Sequence, residues 1–508
     1  MNKVYIELQR VQTWLFSVPR LRAMVGANTL LGETLRMDLP QLACQAGRWS
    51  LVSINAGYPA ANPDDPLRDH DDPSEDAKKG ILSRDGGHFE AVFSAGVEAF
   101  ADEASALLHR KLPGLPFRIS VDKEERTRLS TRISTELPVF APCEWTGRGL
   151  ASCSVEQGDE RADVSLEVWH RHEAAQRAEE GKASDLASLL ISRTKLANLQ
   201  RPPDLDELAG DGYLAVIHAD GNGVGTAAAG ANGAERAAFF HGNRVLLRRA
   251  LQSSIDRACD IAEASSQSRP PIAPLVLLML GGDDVLVLSR ATVALPLVAG
   301  LCSELERFQS NRGNLFHLTL GIGIVFAKPT VPIHRLHEVA EQLAASSKRR
   351  FRGLVDDEKA SVADWAVYTT AWVDDPAEIR RRHWVRGSGE NKRILSHRPL
   401  RVLGDGLATL DGLLKAKDRL ADAPRSQLRY LVDQLLRGKT LSELAFAELS
   451  EKARNALSEA KVSEVWTRES ATEPYLTPLV DLIEVFEIDK LGRAGSARAT
   501  GGTASGSQ

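Results

Sequence analysis

The sequence predicts an α+β protein with two ferredoxin-like domains in series and a helical domain at the C-terminus. Three observations carry this. Between Tyr213 and about Thr370, apolar β-rich runs and helical stretches follow the order β-α-β-β-α-β, extended by one more helix and strand. The first 125 residues repeat that order more weakly, as a diverged second copy. From about Pro399 to Leu491 the spacing is amphipathic and helical, with no obvious chemistry.

In the first domain, Val4–Leu8 reads as a strand, Arg20–Gly47 as helical and Trp49–Ile54 as a strand. Ala61–Lys79, dominated by Pro, Asp and Lys, reads as a solvated loop. Gly86-Gly87-His88 leads into the strand Phe89–Phe93, followed by a helix near Val97–Leu112 and a strand near Phe117–Val121. The breaker Gln200-Arg201-Pro202-Pro203-Asp204 marks a domain boundary.

In the second domain, Tyr213–His218 is a short apolar strand, and a glycine-rich loop leads from it into a helix from about Ala234 to Ala264. Pro274–Leu280 and Val285–Ser289 are strands joined by Gly281-Gly282-Asp283-Asp284, a tight-turn sequence that predicts a β-hairpin. A helix at Val293–Gln309 and a strand at Phe316–Phe326 come next. Pro332 opens a helix with apolar residues at Ile333, Leu336, Val339, Ala340, Leu343 and Ala344, and a strand near Ala363–Tyr368 closes the unit. Leu403–Leu420, Ser426–Arg437, Thr440–Glu459 and Leu476–Phe486 read as the helices of the last domain. The Gly/Ala/Ser/Thr/Arg tail is expected to be disordered. The predicted limits are 1–135, a linker at 136–205, 206–398, 399–491 and a tail at 492–508.

Composition narrows the function classes. The 508 residues carry 63 Lys and Arg against 68 Asp and Glu, a net charge of −5, so no global basic field draws in nucleic acid. With 43% hydrophobic and 26% charged residues, the chain is neither disordered nor fibrous. Five scattered cysteines exclude a disulfide scaffold. The N-terminus does not read as a signal peptide, and the most apolar stretch, Ile272 to Leu288, is too interrupted to span a bilayer. A cytoplasmic protein without a membrane partner is expected.

Asp283 and Asp284 are the strongest chemical signal, because two carboxylates at the tip of an apolar hairpin serve no packing purpose. Gly281 and Gly282 supply positive φ and room for a ligand near the backbone. Asp220 follows the first strand of the domain. In a ferredoxin-like sheet strands one and three are neighbours, so Asp220 should meet the hairpin tip. Three hard oxygen donors there suit Mg²⁺ or Mn²⁺ with a nucleoside triphosphate. Gly221-Asn222-Gly223-Val224-Gly225-Thr226 runs into a helix, and its backbone N–H groups would hold phosphate oxygens through Gly221, Asn222, Gly223 and Gly225.

These residues resemble the palm domain of GGDEF diguanylate cyclases, class III nucleotide cyclases and, above all, the large subunit of type III CRISPR effector complexes. The GGDD form and His218-Ala219-Asp220-Gly221-Asn222-Gly223-Val224-Gly225 are similar to that last family, as is Gly321-Ile322-Gly323-Ile324 followed by a helix ending at Lys348. Glu7, Gln12-Thr13-Trp14-Leu15-Phe16 and Gly26-Ala27-Asn28-Thr29-Leu30-Leu31 resemble its first, degenerate palm. The resemblance implies a cyclase that binds two ATP molecules. A 3′-hydroxyl attacks an α-phosphate, pyrophosphate leaves, and a cyclic oligonucleotide for antiviral defence results. It further implies Asp220, Asp283 and Asp284 as metal ligands, Gly281 and Gly282 at the nucleotide, Lys348 on the triphosphate, and partners comprising ATP or other NTPs and effector subunits with guide and target RNA.

Three departures stand beside it. The first palm begins almost at the N-terminus, leaving no room for an HD nuclease domain, and His70-Asp71 lies in the Pro/Asp loop without partner histidines. Where the family carries a zinc ribbon, this chain has Cys143 and Cys153, with His170 and His172 nearby, which reads as a relic. The first palm has Gly86-Gly87-His88-Phe89 without aspartates, so it should be catalytically silent. The alternatives are a non-catalytic palm scaffold in an RNA-guided complex and a GGDEF-like dinucleotide cyclase.

Overall fold

A computed structural model describes residues 1–45, 47–54, 57–125, 141–157, 160–210, 212–231, 233–263, 272–310, 316–369, 375–468, 470 and 472–491. The tail expected at 492–508 lies outside these residues. Among the described residues no helix is long and apolar enough to cross a membrane.

Both ferredoxin-like sheets form. The first contains β1 (Asn2–Leu8), β2 (Ser50–Leu51), β3 (Ile81–Ser83), β4 (His88–Ala95), β5 (Phe117–Val121) and β6 (Glu124–Glu125). Its order is β2-β4-β1-β5-β6, with β3 also on β4. Strand alternation buries Val4, Ile6 and Leu8 of β1. The strand expected over Trp49–Ile54 shrinks to Ser50–Leu51. Val52 makes a last bond to β4, its N–H donating to the Val92 carbonyl at 2.9 Å; the Ile54 N–H then donates to the Ala77 carbonyl at 2.9 Å, while β3 takes the freed edge.

A small hairpin, β7 (Cys153–Gln157) and β8 (Glu160–Val164), and the helix Leu166–Glu179 connect the two sheets. The second sheet contains β9 (Leu214–Gly221), β10 (Leu275–Gly281), β11 (Asp284–Arg290), β12 (Leu320–Ala327), β13 (Val362–Tyr368) and the short β14 (Leu400–Arg401), in the order β10-β11-β9-β12-β13-β14. β13 runs parallel to β12 through the helix Ile333–Arg352, the appended unit the sequence predicts.

The two faces of the second sheet have different partners. Ala215, Ile217 and Ala219 of β9 share a core with the helix Ala291–Gln309 and with Leu413, Leu428, Leu457 and Leu482 of the C-terminal helices. Leu214 and Val216 share a core with Val4, Ile6 and Phe89 of the first domain. The alternation thus aims every second residue of β9, His218 and Asp220 included, toward the first domain.

Two expectations are corrected. The segment Thr440–Glu459 is two helices, Lys439–Ala447 and Glu451–Glu459, because Ser450 caps the second through its hydroxyl. The Pro/Asp segment 61–79 is not a solvated loop. Leu67 is fully buried, and Asp65 and Asp71 are each only 3% exposed. Arg248 on the helix Gly233–Glu263 donates to both carboxylates, at 2.8 and 2.7 Å, and Arg244 donates to Asp71 at 3.3 Å. The segment is a strap from the first domain onto the second: Asp65 and Asp71 are buried because each finds an arginine, while Asp64, Asp69 and Glu75 stay exposed.

Candidate functional site

The hairpin tip is a two-residue turn: Gly281 pairs with Asp284, and Gly282 adopts φ 63°. Because β11 pairs with β9 through Val285 and Ala219, the tip lies beside the end of β9. Asp220, Asp283 and Asp284 therefore meet at one sheet edge. The approach is close. A β carbon on Gly221 would stand 2.5 Å from Asp283 Oδ2, so only glycine admits that carboxylate.

The cluster resists ionisation. Burial, then the charges of Asp220 and Asp283, push the Asp284 carboxyl up to about 7. Burial and Asp220 likewise raise Asp283. Lys348, at the end of the helix Ile333–Arg352, sets its ammonium on the Asp220 carboxylate. Its stem crosses Gly321, the register partner of Asp220, where a β carbon would fall 2.5 Å from Lys348 Cγ.

Sequence reasoning misses His218, which closes an apolar strand run. It stands two residues before Asp220 on the same face, and its Nε2 is 3.8 Å from Asp284 Oδ1. Ligand atoms of His218, Asp220 and Asp284 all lie within 4.8 Å of one another. Asp284 Oδ1 and His218 Nδ1 are buried without a hydrogen-bond partner among the described residues. Burial lowers the His218 pKa, which keeps the imidazole neutral and able to ligate. The carboxylate oxygens fit Mg²⁺ or Mn²⁺, and the nitrogen donor adds a preference for the transition metal. The i, i+2 spacing of His218 and Asp220 was the signal for it.

The glycine-rich loop does two things. Gly223, with φ 69°, starts the short helix Val224–Ala228 that contains Gly225. Asn222 turns inward instead: it is buried, its N–H donates to the Thr319 carbonyl at 2.8 Å, and its Nδ2 donates to Thr319 Oγ1 at 3.1 Å. It ties the loop to the segment entering β12.

The first domain faces this edge with its own glycine turn. The Gly86 α carbon lies 3.8 Å from the place of a β carbon on Gly281. The two turns border a cleft of about 810 Å³ that Arg10, Arg36, Arg84, Arg148 and His337 also line. Arg36 donates to Asp85 at 2.6 Å, and Arg84 to Asp76 at 2.6 Å. Arg10 and Arg148 have no ion pair among the described residues. Asp284 borders the cleft on one side and Arg10 and Arg148 on the other, with Arg36 and Arg84 held by carboxylates, a grouping the sequence did not show, since these arginines are scattered along it.

Among the described residues, Cys143, Cys153, His170 and His172 do not form a group that could share an ion; His218, Asp220 and Asp284 do. Asp71 of His70-Asp71 belongs to the arginine strap.

Residues 213–354 match the family described as Cas10/Cmr2, second palm domain. That stretch contains the Asp220 loop, the hairpin and Lys348, so the chain carries a Cas10-like palm domain where the resemblance placed it. No curated protein sequence matches the chain. Among solved structures it is similar to an apo Csm1-Csm4 cassette, at 12% identity over 97% of this chain and 70% of that chain, with TM-score 0.46. A Csm1-Csm4 cassette in complex with pppApApA has 12% identity over 96% and 69%, with TM-score 0.47. Csm1 in T.onnurineus has 14% identity over 97% and 69%, with TM-score 0.43.

Proposed function

We propose that the chain is a metal-dependent nucleotidyl cyclase, the large subunit of a type III CRISPR effector or a free-standing relative, which joins ATP into a cyclic oligonucleotide second messenger. The observation that carries this reading is the convergence of Asp220, Asp283, Asp284 and Lys348 at one edge of a palm sheet, where Asp284 borders a cleft that Arg10 and Arg148 also line.

Asp220 and Asp284 hold the cation site, with His218 as a further ligand and Asp283 beside it. Divalent cations bound there would activate the attacking 3′-hydroxyl and offset the charge of the leaving pyrophosphate. Lys348 exchanges its contact with Asp220 for a phosphate oxygen when nucleotide enters. The N–H groups of Gly223 and Gly225 lie beside the same phosphates. Arg10 and Arg148 supply cationic contacts for a triphosphate from the opposite wall. Adenine as the base, and effector subunits with guide and target RNA as partners, rest on the family resemblance.

The Lys348–Asp220 contact favours one second reading, a non-catalytic palm scaffold. A carboxylate already matched by an internal cation needs no metal. Incubation of the purified chain with Mg²⁺ or Mn²⁺ and each NTP, followed by mass analysis, separates the two. Wild type should release pyrophosphate and form a cyclic product, and the Asp283→Ala/Asp284→Ala variant should not. Identical products from both, or none with RNA-loaded partners present, would leave the scaffold.

A further inference from the structure

A second cavity, of about 650 Å³, lies behind the cleft. Its walls come from the helix Leu21–Glu33, the end of the helix Leu166–Glu179, the segment from Ala187 to Leu199, and the first residues of β10. Val25, Leu189, Ile191 and Leu199 line it and stay only partly buried. A volume of this size suits a small organic ligand.

The charge on the cavity is specific. It is lined by Arg22, Arg201 and Glu179. Arg22 Nη2 lies 2.9 Å from Glu179 Oε2, which uses the one carboxylate, while Arg22 Nε is buried with no hydrogen-bond partner. Arg201 makes no hydrogen bond or ion pair among the described residues. Burial disfavours its charge, and only the fields of Asp185 and Glu179 act in its favour. Asp185 acts on Arg201 only through its field, so the Arg201 guanidinium and the Arg22 Nε keep donors unmatched beside apolar walls. An anion placed there would satisfy groups the fold leaves unmatched.

We propose that this cavity binds a small organic monoanion with an apolar body, its carboxylate held by Arg201 and Arg22 and its hydrocarbon laid along Val25, Leu189, Ile191 and Leu199. The site shares a wall with the cleft, since Asn28 and Ala187 line both. That wall is tightly tied: Asn28 Nδ2 donates to Asp185 Oδ1 at 2.9 Å and Thr29 Oγ1 donates to Asp185 Oδ2 at 3.1 Å. The Gly26–Leu31 segment, which the sequence reading attached only to the first palm, forms this partition. The assignment does not depend on what the cleft catalyses.

Octanoate is the probe, titrated into the full chain by calorimetry, with octanol as the same body without charge and acetate as the same charge without body. One saturable octanoate site is expected. Arg201→Gln, on a partly exposed side chain, and Val25→Trp, which fills the cavity, should each weaken it at least tenfold. Octanol and acetate should not saturate over the same range. Amide exchange should slow in the lining segments, 21–28, 178–183, 187–203 and 273–277, and not elsewhere. Failure of octanoate to saturate, equal binding by wild type and both variants, equal binding of octanol, or protection confined to other segments would each overturn the proposal.

Discussion

Lys348 and Asp220, 128 residues apart, share an ion pair at the sheet edge, with the lysine stem laid across Gly321. The lysine holds the place of a cation beside the carboxylates, and under the proposed function it also meets an entering phosphate. Lys348→Met separates the two roles. It should raise the affinity for Mn²⁺, because Asp220 loses its competing charge. It should also raise the KM for ATP roughly 10- to 100-fold, the loss of about 1.5–3 kcal/mol for a hydrogen bond to a charged group. Calorimetry with Mn²⁺ alone and steady-state kinetics read the two effects separately. A fall in both affinities would mean that the lysine merely holds the fold.

Asp284 makes stability depend on pH and on metal. Its carboxyl is raised from 3.8 to about 7, so the folded chain binds a proton that the unfolded chain has released. Its contribution to stability is therefore full below pH 3.8 and falls as pH rises toward about 7. A divalent cation displaces that proton and reverses the loss. Thermal denaturation should show Mn²⁺ raising Tm more at pH 8 than at pH 6, and Asp284→Asn should abolish the difference. An equal rise at both pH values would detach the metal from Asp284.

The strap should matter more than its surface companions. Arg248 is buried between Asp65 and Asp71, so Arg248→Met leaves two carboxylates without their shared partner, at about 3–5 kcal/mol. Arg249 pairs with Asp64 on the same helix, but that carboxylate is 64% exposed, and Arg249→Ala should cost less than about 1 kcal/mol. Urea midpoints of the two variants test the ranking, and similar midpoints would refute the buried strap.

How legible these features were follows from how far apart their partners lie. The hairpin was plain because its turn and both strands are contiguous. The meeting of Asp220 with Asp283 and Asp284 was plain because strand order in this fold puts the first and third strands side by side. His218 was hidden by an apolar run, although alternation would have placed it beside Asp220. The strap was unreadable for a different reason. Asp, Pro and Lys usually mean solvent, and the arginines that overturn this lie 173 to 183 residues away on another domain's helix. Arg10, Arg36, Arg84 and Arg148 likewise come to line one cleft only when the first turn is folded against the second.

Gly221 and Gly225 of one loop look alike in sequence and are not alike in structure. At Gly221 a β carbon would meet Asp283 Oδ2 and Val224 Cγ2, both at 2.5 Å, and Asp283 Cβ at 2.9 Å. At Gly225 nothing lies within 4 Å. Gly221→Ala must therefore move the hairpin tip, at an overpacking cost of about 1–3 kcal/mol, and displace Asp283 from the cluster. Gly225→Ala keeps its N–H, meets no atom and sits in a helix, where alanine is favoured over glycine by about 1 kcal/mol. Mn²⁺ affinity and turnover should fall at least tenfold in the first variant and stay within twofold of wild type in the second. Equal losses in both would mean that the loop acts through its flexibility, and equal retention in both would remove Asp283 from the site.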